Sequence, residues 1–252
     1  MTSHPTRDLF DLSGQVALVT GGSRGLGLQM VLAFADAGAD VVVTSRKLDA
    51  CEAAADEVRA KGRRALAHSA HVGRWGELDA LVDAAYAEFG HVDILVNNAG
   101  MSPLAPSSVE TTEELFDKIV SVNFKGPFRL AALVGRRMAD GDGGSIINIS
   151  SSGALRPMPS FGPYAGSKAA LNTLAHVFGR EYGPKVRVNT ISAGPFLTDI
   201  ANAWPEEGRH HAPNALQRPG RPEEIVTTAL YLASPASSYT TGALIQVDGD
   251  LY

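Results

Sequence analysis

Two rhythms of apolar residues alternate along the chain. Short apolar runs at 16–20, 40–44, 65–68, 92–96, 145–151, 186–191 and 243–247 read as strands. Most lack polar alternation, the pattern of strands buried on both faces of a parallel sheet. Between them, apolar residues at three- and four-residue spacing predict amphipathic helices at 28–38, 48–60, 75–89 and 111–139. A further helix is expected from Tyr164 to about Tyr182, and another opens at Arg221, where Pro222, Glu223 and Glu224 suit a first turn. Strand alternating with helix predicts an α/β fold: one open, doubly wound, mostly parallel sheet of about seven strands flanked by helices. No linker, internal repeat or low-complexity stretch divides it, so residues 1–252 read as a single domain. Two stretches break the rhythm: a glycine- and proline-rich loop at 153–163, and a polar segment at 199–220 with Trp204, His210 and His211.

Glycines first change the picture. Gly21, Gly22, Gly25 and Gly27 sit between the first strand and the first helix, and a second strand follows. In that context they allow tight backbone geometry and bring main-chain N–H groups close to a pyrophosphate at a helix N-terminus. An ordinary strand-to-helix turn is the plainer alternative. About twenty residues on, a dinucleotide-binding unit usually carries an acid for the adenosine ribose of NAD. Here the chain reads Thr44, Ser45, Arg46, Lys47, with no carboxylate. Arg46, with Arg24 from the glycine turn, could bracket a 2′-phosphate by charge-assisted hydrogen bonds. This favours NADP(H), with NAD(H) as the alternative; otherwise Arg46 and Lys47 are a solvated helix start.

A second constellation carries the chemistry. Tyr164 and Lys168 are four apart and share one helix face. A phenol titrates near ~10, and a nearby ammonium is expected to pull that value down toward general acid/base work. Ser151, thirteen residues before Tyr164, ends an apolar strand and could donate to a polarised carbonyl. Asn97, Asn98, Ala99 and Gly100 follow the fourth strand directly, and Asn123 interrupts the long helix, where asparagine is poorly placed unless its amide is bonded. Gly126 and Pro127 could bend that helix by themselves.

Taken together, the spacing of Thr20, Gly21, Gly25 and Gly27, the Asn-Asn-Ala-Gly turn, and Ser151 thirteen residues before Tyr-x-x-x-Lys resemble the short-chain dehydrogenase/reductase family, from about Phe10 to the end. The resemblance implies a Rossmann-type fold and hydride transfer between NADP(H) and a carbonyl or secondary alcohol. It implies Asn123, Ser151, Tyr164 and Lys168 as the catalytic set. It implies cofactor contacts from Gly21, Ser23, Arg24, Leu26, Ser45, Arg46, Val72, Asn98, Ala99, Gly100, Tyr164, Lys168, Gly194, Phe196 and Thr198. Residues 196–220 would form a substrate lid, and dimers or tetramers through the long helices would be expected. Three positions depart from the family: His71 where an aspartate is usual, Ala193 before Gly194 where proline is usual, and Asp250 where glycine is common. Trp204 contacts substrate or packs on the protein. A silent nucleotide sensor and a reductase of carbon–carbon double bonds are the rival readings; the four-residue Tyr–Lys spacing speaks against the latter.

Composition narrows the rest. With 44% hydrophobic residues in 252, the chain can bury a sizeable core. No apolar run reaches ~18 residues, so no membrane span is expected. Residues 1–10 read as a short polar extension rather than a targeting segment. A formal charge of −5 argues against general nucleic-acid or anionic-membrane partners. The single cysteine, Cys51, excludes a disulfide within the chain and is expected as a packed thiol in a cytoplasmic protein. None of the seven histidines has metal-ligand spacing, so no metal is expected.

Overall fold

In the computed structural model, residues 9–251 are described; of the expected polar extension, 1–8 lie outside them. Seven parallel strands form one sheet in the order β3-β2-β1-β4-β5-β6-β7. They are β1 (Val16–Thr20), β2 (Asp40–Ser45), β3 (Ala65–Ser69), β4 (Ile94–Asn97), β5 (Gly144–Ser151), β6 (Val186–Ala193) and β7 (Leu244–Val247). Helices α1 (Gly25–Asp36), α2 (Leu48–Ala60), α3 (Trp75–Phe89), α4 (Glu113–Val120), α5 (Gly126–Asp140), α6 (Gly162–Glu181), α7 (Glu206–His210) and α8 (Val226–Ala233) connect them.

Side-chain alternation along each strand feeds two cores. Ala17, Val19, Val41 and Val43 face one way and pack with Met30 and Phe34 of α1, Cys51 and Val58 of α2 and Leu232 of α8. Val16, Leu18, Val42 and Leu95 face the other way, against Leu78 of α3, Leu130 of α5 and Leu171 of α6. Full burial of a Leu, Ile or Phe side chain contributes roughly 1.5–3 kcal/mol, so the two cores fix the sheet and with it the strand ends. The sheet order reverses direction between β1 and β4. In open α/β sheets that switch point opens a crevice at the carboxyl ends of the strands.

Element boundaries moved by a few residues from the sequence reading. The one larger difference is the helix expected over 111–139. It breaks at Ser121–Lys125, a π-helical turn holding Asn123, before resuming as α5. π-turns inside helices collect at functional positions because they re-aim side chains.

Candidate active site

The crevice floor is built around Thr20, at the end of β1. Its hydroxyl donates to Val96 O at 3.1 Å and accepts the N–H groups of Asn98 and Ala99, both at 3.0 Å. The Asn98 amide in turn donates to Thr20 O at 2.8 Å and Gly21 O at 3.3 Å. Asn-Asn-Ala-Gly is thus a clasp on the glycine turn. Gly21 has φ +64°, where L side chains are strained, and a Cβ on Gly27 would lie 2.1 Å from Gly21 O and 2.6 Å from the Asn98 amide nitrogen. Only hydrogen fits there. No side chain caps α1, so its first N–H groups remain available to an anion. The residues present therefore suit a dinucleotide pyrophosphate.

Beside the turn, Ser23 Oγ donates to Ser45 Oγ at 3.0 Å, and Ser45 Oγ lies 3.1 Å from the buried Cys51 thiol. Cys51 is the packed residue expected. Arg46 is exposed and has no carboxylate partner among the described residues. Arg24 is also exposed, but its guanidinium pairs with Asp199 at 3.0 Å. Leu26 packs on the first core.

Across the crevice, β5 delivers Ser151 and α6 delivers Tyr164 and Lys168. The Gly153 N–H donates to Ser151 Oγ at 3.0 Å, leaving the hydroxyl proton free for another acceptor. Phe161 meets the Tyr164 ring edge to face, centroids 5.8 Å apart. Lys168 is 4% exposed, and its ammonium donates to Ile149 O at 2.7 Å. Asn123 is fully buried: its Oδ1 accepts from Met101 N at 2.9 Å, and its Nδ2 donates to Met101 O at 2.8 Å and to Ser167 Oγ at 3.3 Å. Ser167 Oγ donates to Tyr164 O at 2.7 Å, tying the π-turn to the tyrosine's own helix. A Cβ on Gly100 would sit 3.3 Å from Lys168 Nζ and 3.4 Å from Asn123 Oδ1. Gly100 thus keeps open the space onto which both polar groups face.

One expectation is corrected. The Tyr164 phenol is not lowered by Lys168; burial pushes it above the usual value near 10, and a hydrogen bond with the Ser151 hydroxyl pulls the other way. Burial also lowers Lys168 to about 8. The physical reason is shared: both groups are desolvated, and desolvation favours the neutral form of each.

The remaining expected positions divide. Val72 is buried in the second core, and Gly194 passes close to the β7 end, where an added Cβ would be 2.6 Å from Asp248 Cα. Thr198 lies beside Gly25 of the glycine turn. Phe196 turns its ring into the core, against Gly220. His71 is half-buried: its Nδ1 accepts the Gly73 N–H at 3.1 Å, a turn contact a carboxylate could also make. Ala193 continues β6, paired with Ser151 and Val247. Asp250 has φ +59°, the left-handed region where glycine is usual and Asp is tolerated. Trp204 is half-buried, and His210 and His211 are exposed. Gly153, Phe161 and Ser167 were not singled out by sequence, and Thr20 entered only through its motif spacing; Ser167, one turn from Tyr164, offered the only spacing signal among the other three.

The glycine turn, the Asn-Asn-Ala-Gly turn and Ser151 lie at the carboxyl ends of parallel strands, and helix α6 and the π-turn bring Tyr164, Lys168 and Asn123 to them, on a sheet that defines a Rossmann-type α/β protein. Comparison with known proteins carries this further. A family model described as enoyl-(acyl carrier protein) reductase matches residues 21–250. An oxidoreductase of Mycobacterium tuberculosis is 37% identical over 248 residues, covering 97% of this chain and 94% of its own. The structure of a 3-oxoacyl-(acyl-carrier-protein) reductase from Agrobacterium tumefaciens with NADP bound superposes with TM-score 0.91 at 31% identity, covering 98% of this chain and 97% of its own. That of a 7α-hydroxysteroid dehydrogenase complexed with NADH and 7-oxoglycochenodeoxycholic acid gives 0.90 at 34%, with coverage of 98% and 97%. The chain belongs to the short-chain dehydrogenase/reductase family and is an oxidoreductase of that family. Among the described residues, no helix is long and apolar enough to cross a membrane.

Proposed function

We propose that this protein interconverts a carbonyl and a secondary alcohol, using NADP(H). The bound nicotinamide supplies or accepts the hydride; the side chains govern the substrate oxygen and its proton. Ser151, with Gly153 N–H on its lone pair, donates its hydroxyl hydrogen to the carbonyl oxygen and fixes its place. Tyr164, kept protonated by burial, is the acid that delivers a proton to that same oxygen. Lys168, still mostly ammonium at pH 7 with a value of about 8, stabilises the phenolate left behind and begins the proton's return. Asn123, facing the same space over Gly100, is the next group on that route.

One observation carries the reading: Ser151 Oγ and the Tyr164 ring flank Gly153, each 3.4 Å from where its Cβ would lie, while buried Lys168 and Asn123 both turn a polar group toward Gly100. A silent sensor would gain nothing from holding these groups in the interior. The absence of a carboxylate after β2, and an Arg46 without a carboxylate partner among the described residues, support NADP(H) over NAD(H). Relatives of known structure carry either, NADP in one and NADH in the other. The matched family description favours a second reading, reduction of an enoyl thioester, against which the Tyr–Lys spacing counts. Exposed Trp75, Phe128 and Val177 on α3, α5 and α6 support a homo-oligomer through the long helices. We read residues 196–220 as the substrate lid and the compartment as cytoplasmic.

The test is a panel of ketones, secondary alcohols and one enoyl thioester, followed by nicotinamide absorbance with each cofactor. Turnover of carbonyls with NADPH at ten or more times the efficiency with NADH is expected. Turnover of the enoyl thioester alone, or none with either cofactor, would overturn the reading.

A further inference from the structure

Arg24 occupies two roles that cannot both be filled without cost. It lies in the glycine turn beside Ser23, Ser45 and Arg46, where the proposed NADP(H) would place its 2′-phosphate. Yet its guanidinium is already bonded to Asp199, at 3.0 Å, the first residue of the turn that opens the lid segment. Both side chains are more than half exposed, so the pair is a solvated one that an incoming anion can reach. Arg46 has no such partner among the described residues.

We propose that Asp199 sets the cofactor preference of this enzyme by competing with the 2′-phosphate for Arg24. The inference rests on the NADP(H) reading and refines it. A carboxylate on Arg24 offsets part of the charge that the phosphate needs, and a dianionic phosphate drawn to the same guanidinium is repelled by the carboxylate. NAD(H) carries no phosphate at that place and meets neither effect. The same contact ties the glycine turn to the segment read as the lid, so an Arg24 turned to phosphate releases its hold on that segment's start. Asp199 is then a specificity residue that touches neither the substrate oxygen nor the nicotinamide.

The experiment is calorimetric titration of NADP+ and NAD+ into the wild type and Asp199→Asn, without substrate. An exposed ion pair is worth little, so NADP+ binding should tighten about two- to fivefold while NAD+ binding stays within error. The gain should shrink as salt is raised, because the competing charges are solvent-screened. Arg24→Gln, measured in parallel, separates the two levels of the claim. If Arg24→Gln weakens NADP+ alone while Asp199→Asn changes nothing, Asp199 does not compete, and the inference falls with the NADP(H) reading intact. If neither Arg24→Gln nor Arg46→Gln affects NADP+ selectively, the reading beneath it falls as well. Equal tightening of both dinucleotides by Asp199→Asn would also overturn the inference, since it would reflect the lid rather than the phosphate.

Discussion

The floor of the crevice and the segment at 199–220, proposed as part of its lid, are built on different terms. Thr20, Asn98, Asn123, Ser151 and Lys168 stand on strand ends or helices, largely out of water and tied to the backbone by named bonds. Residues 199–220 hold a short turn, the five-residue α7 and exposed side chains such as Leu216, and they are tied down at buried Asn214, whose amide donates to Asp248 O and Arg218 O at 3.0 Å, and at their margins. Arg218 clasps Glu224 with two bonds of 2.7 Å at one margin, and Asp199 meets Arg24 at the other. The proposed chemistry stands on the more firmly bonded part, and substrate recognition is assigned in that proposal to the less regular one.

Substitutions can sharpen that contrast. The largest effect should come from the floor. Gly27→Ala puts a methyl 2.1 Å from a backbone oxygen, which the clasp cannot yield without breaking, so a loss of about 3 kcal/mol or more in urea unfolding is expected. Retention of wild-type stability would show the turn to be looser than its geometry.

A buried lysine comes next. The unfolded chain holds this proton up to 10.5, whereas folded Lys168 releases it near 8. The penalty for burying the charge is fully present below 8 and is relieved as pH rises. Stability should therefore climb by about 1.4 kcal/mol per pH unit from 8 toward 10, roughly 2–3 kcal/mol in all. Above 10 the buried phenols of Tyr86, Tyr164 and Tyr182, raised above their usual values, act in the opposite sense and end the climb. Lys168→Met should remove the slope specific to this residue, read as the difference between the two unfolding curves across that window. Parallel curves would mean the ammonium is solvated.

The smallest effect belongs to the lid margin. Hydrogen bonds from Arg218 and from the Arg221 N–H hold Glu224 down to about 2, so its contribution is present above 4.5 and lost as pH falls toward 2. Because the pair is solvent-screened, Glu224→Gln should cost under ~1 kcal/mol, a fall in Tm of no more than about 2–4 °C at pH 7. That difference should narrow below pH 4.5. A cost as large as that of Gly27→Ala would erase the contrast between floor and lid.

The same division explains what could be read from sequence. Buried strands and packed helices announce themselves by periodicity, and glycine, asparagine, tyrosine and lysine at fixed spacings mark the floor, because close contact allows few residue types. Less legible was anything decided by three-dimensional crowding. The rise in the Tyr164 phenol follows from burial that no spacing encodes. The π-turn at Asn123 was signalled only by an asparagine out of place in a helix, because the apolar pattern runs through it. Asp250 read as a departure from the family, yet it keeps the left-handed backbone that a glycine would serve. Asp199 offered no signal at all, since its partner is 175 residues away along the chain.

The claim at the centre is that the Tyr164 hydroxyl is the group that moves the proton. Tyr164→Phe removes that oxygen alone, and the Phe161 contact and the glycine turn should survive it. Paired measurements of kcat and of NADP+ dissociation should find turnover down by at least about a hundredfold with dinucleotide binding unchanged. Turnover within threefold of wild type, with the dinucleotide still bound, would contradict the account.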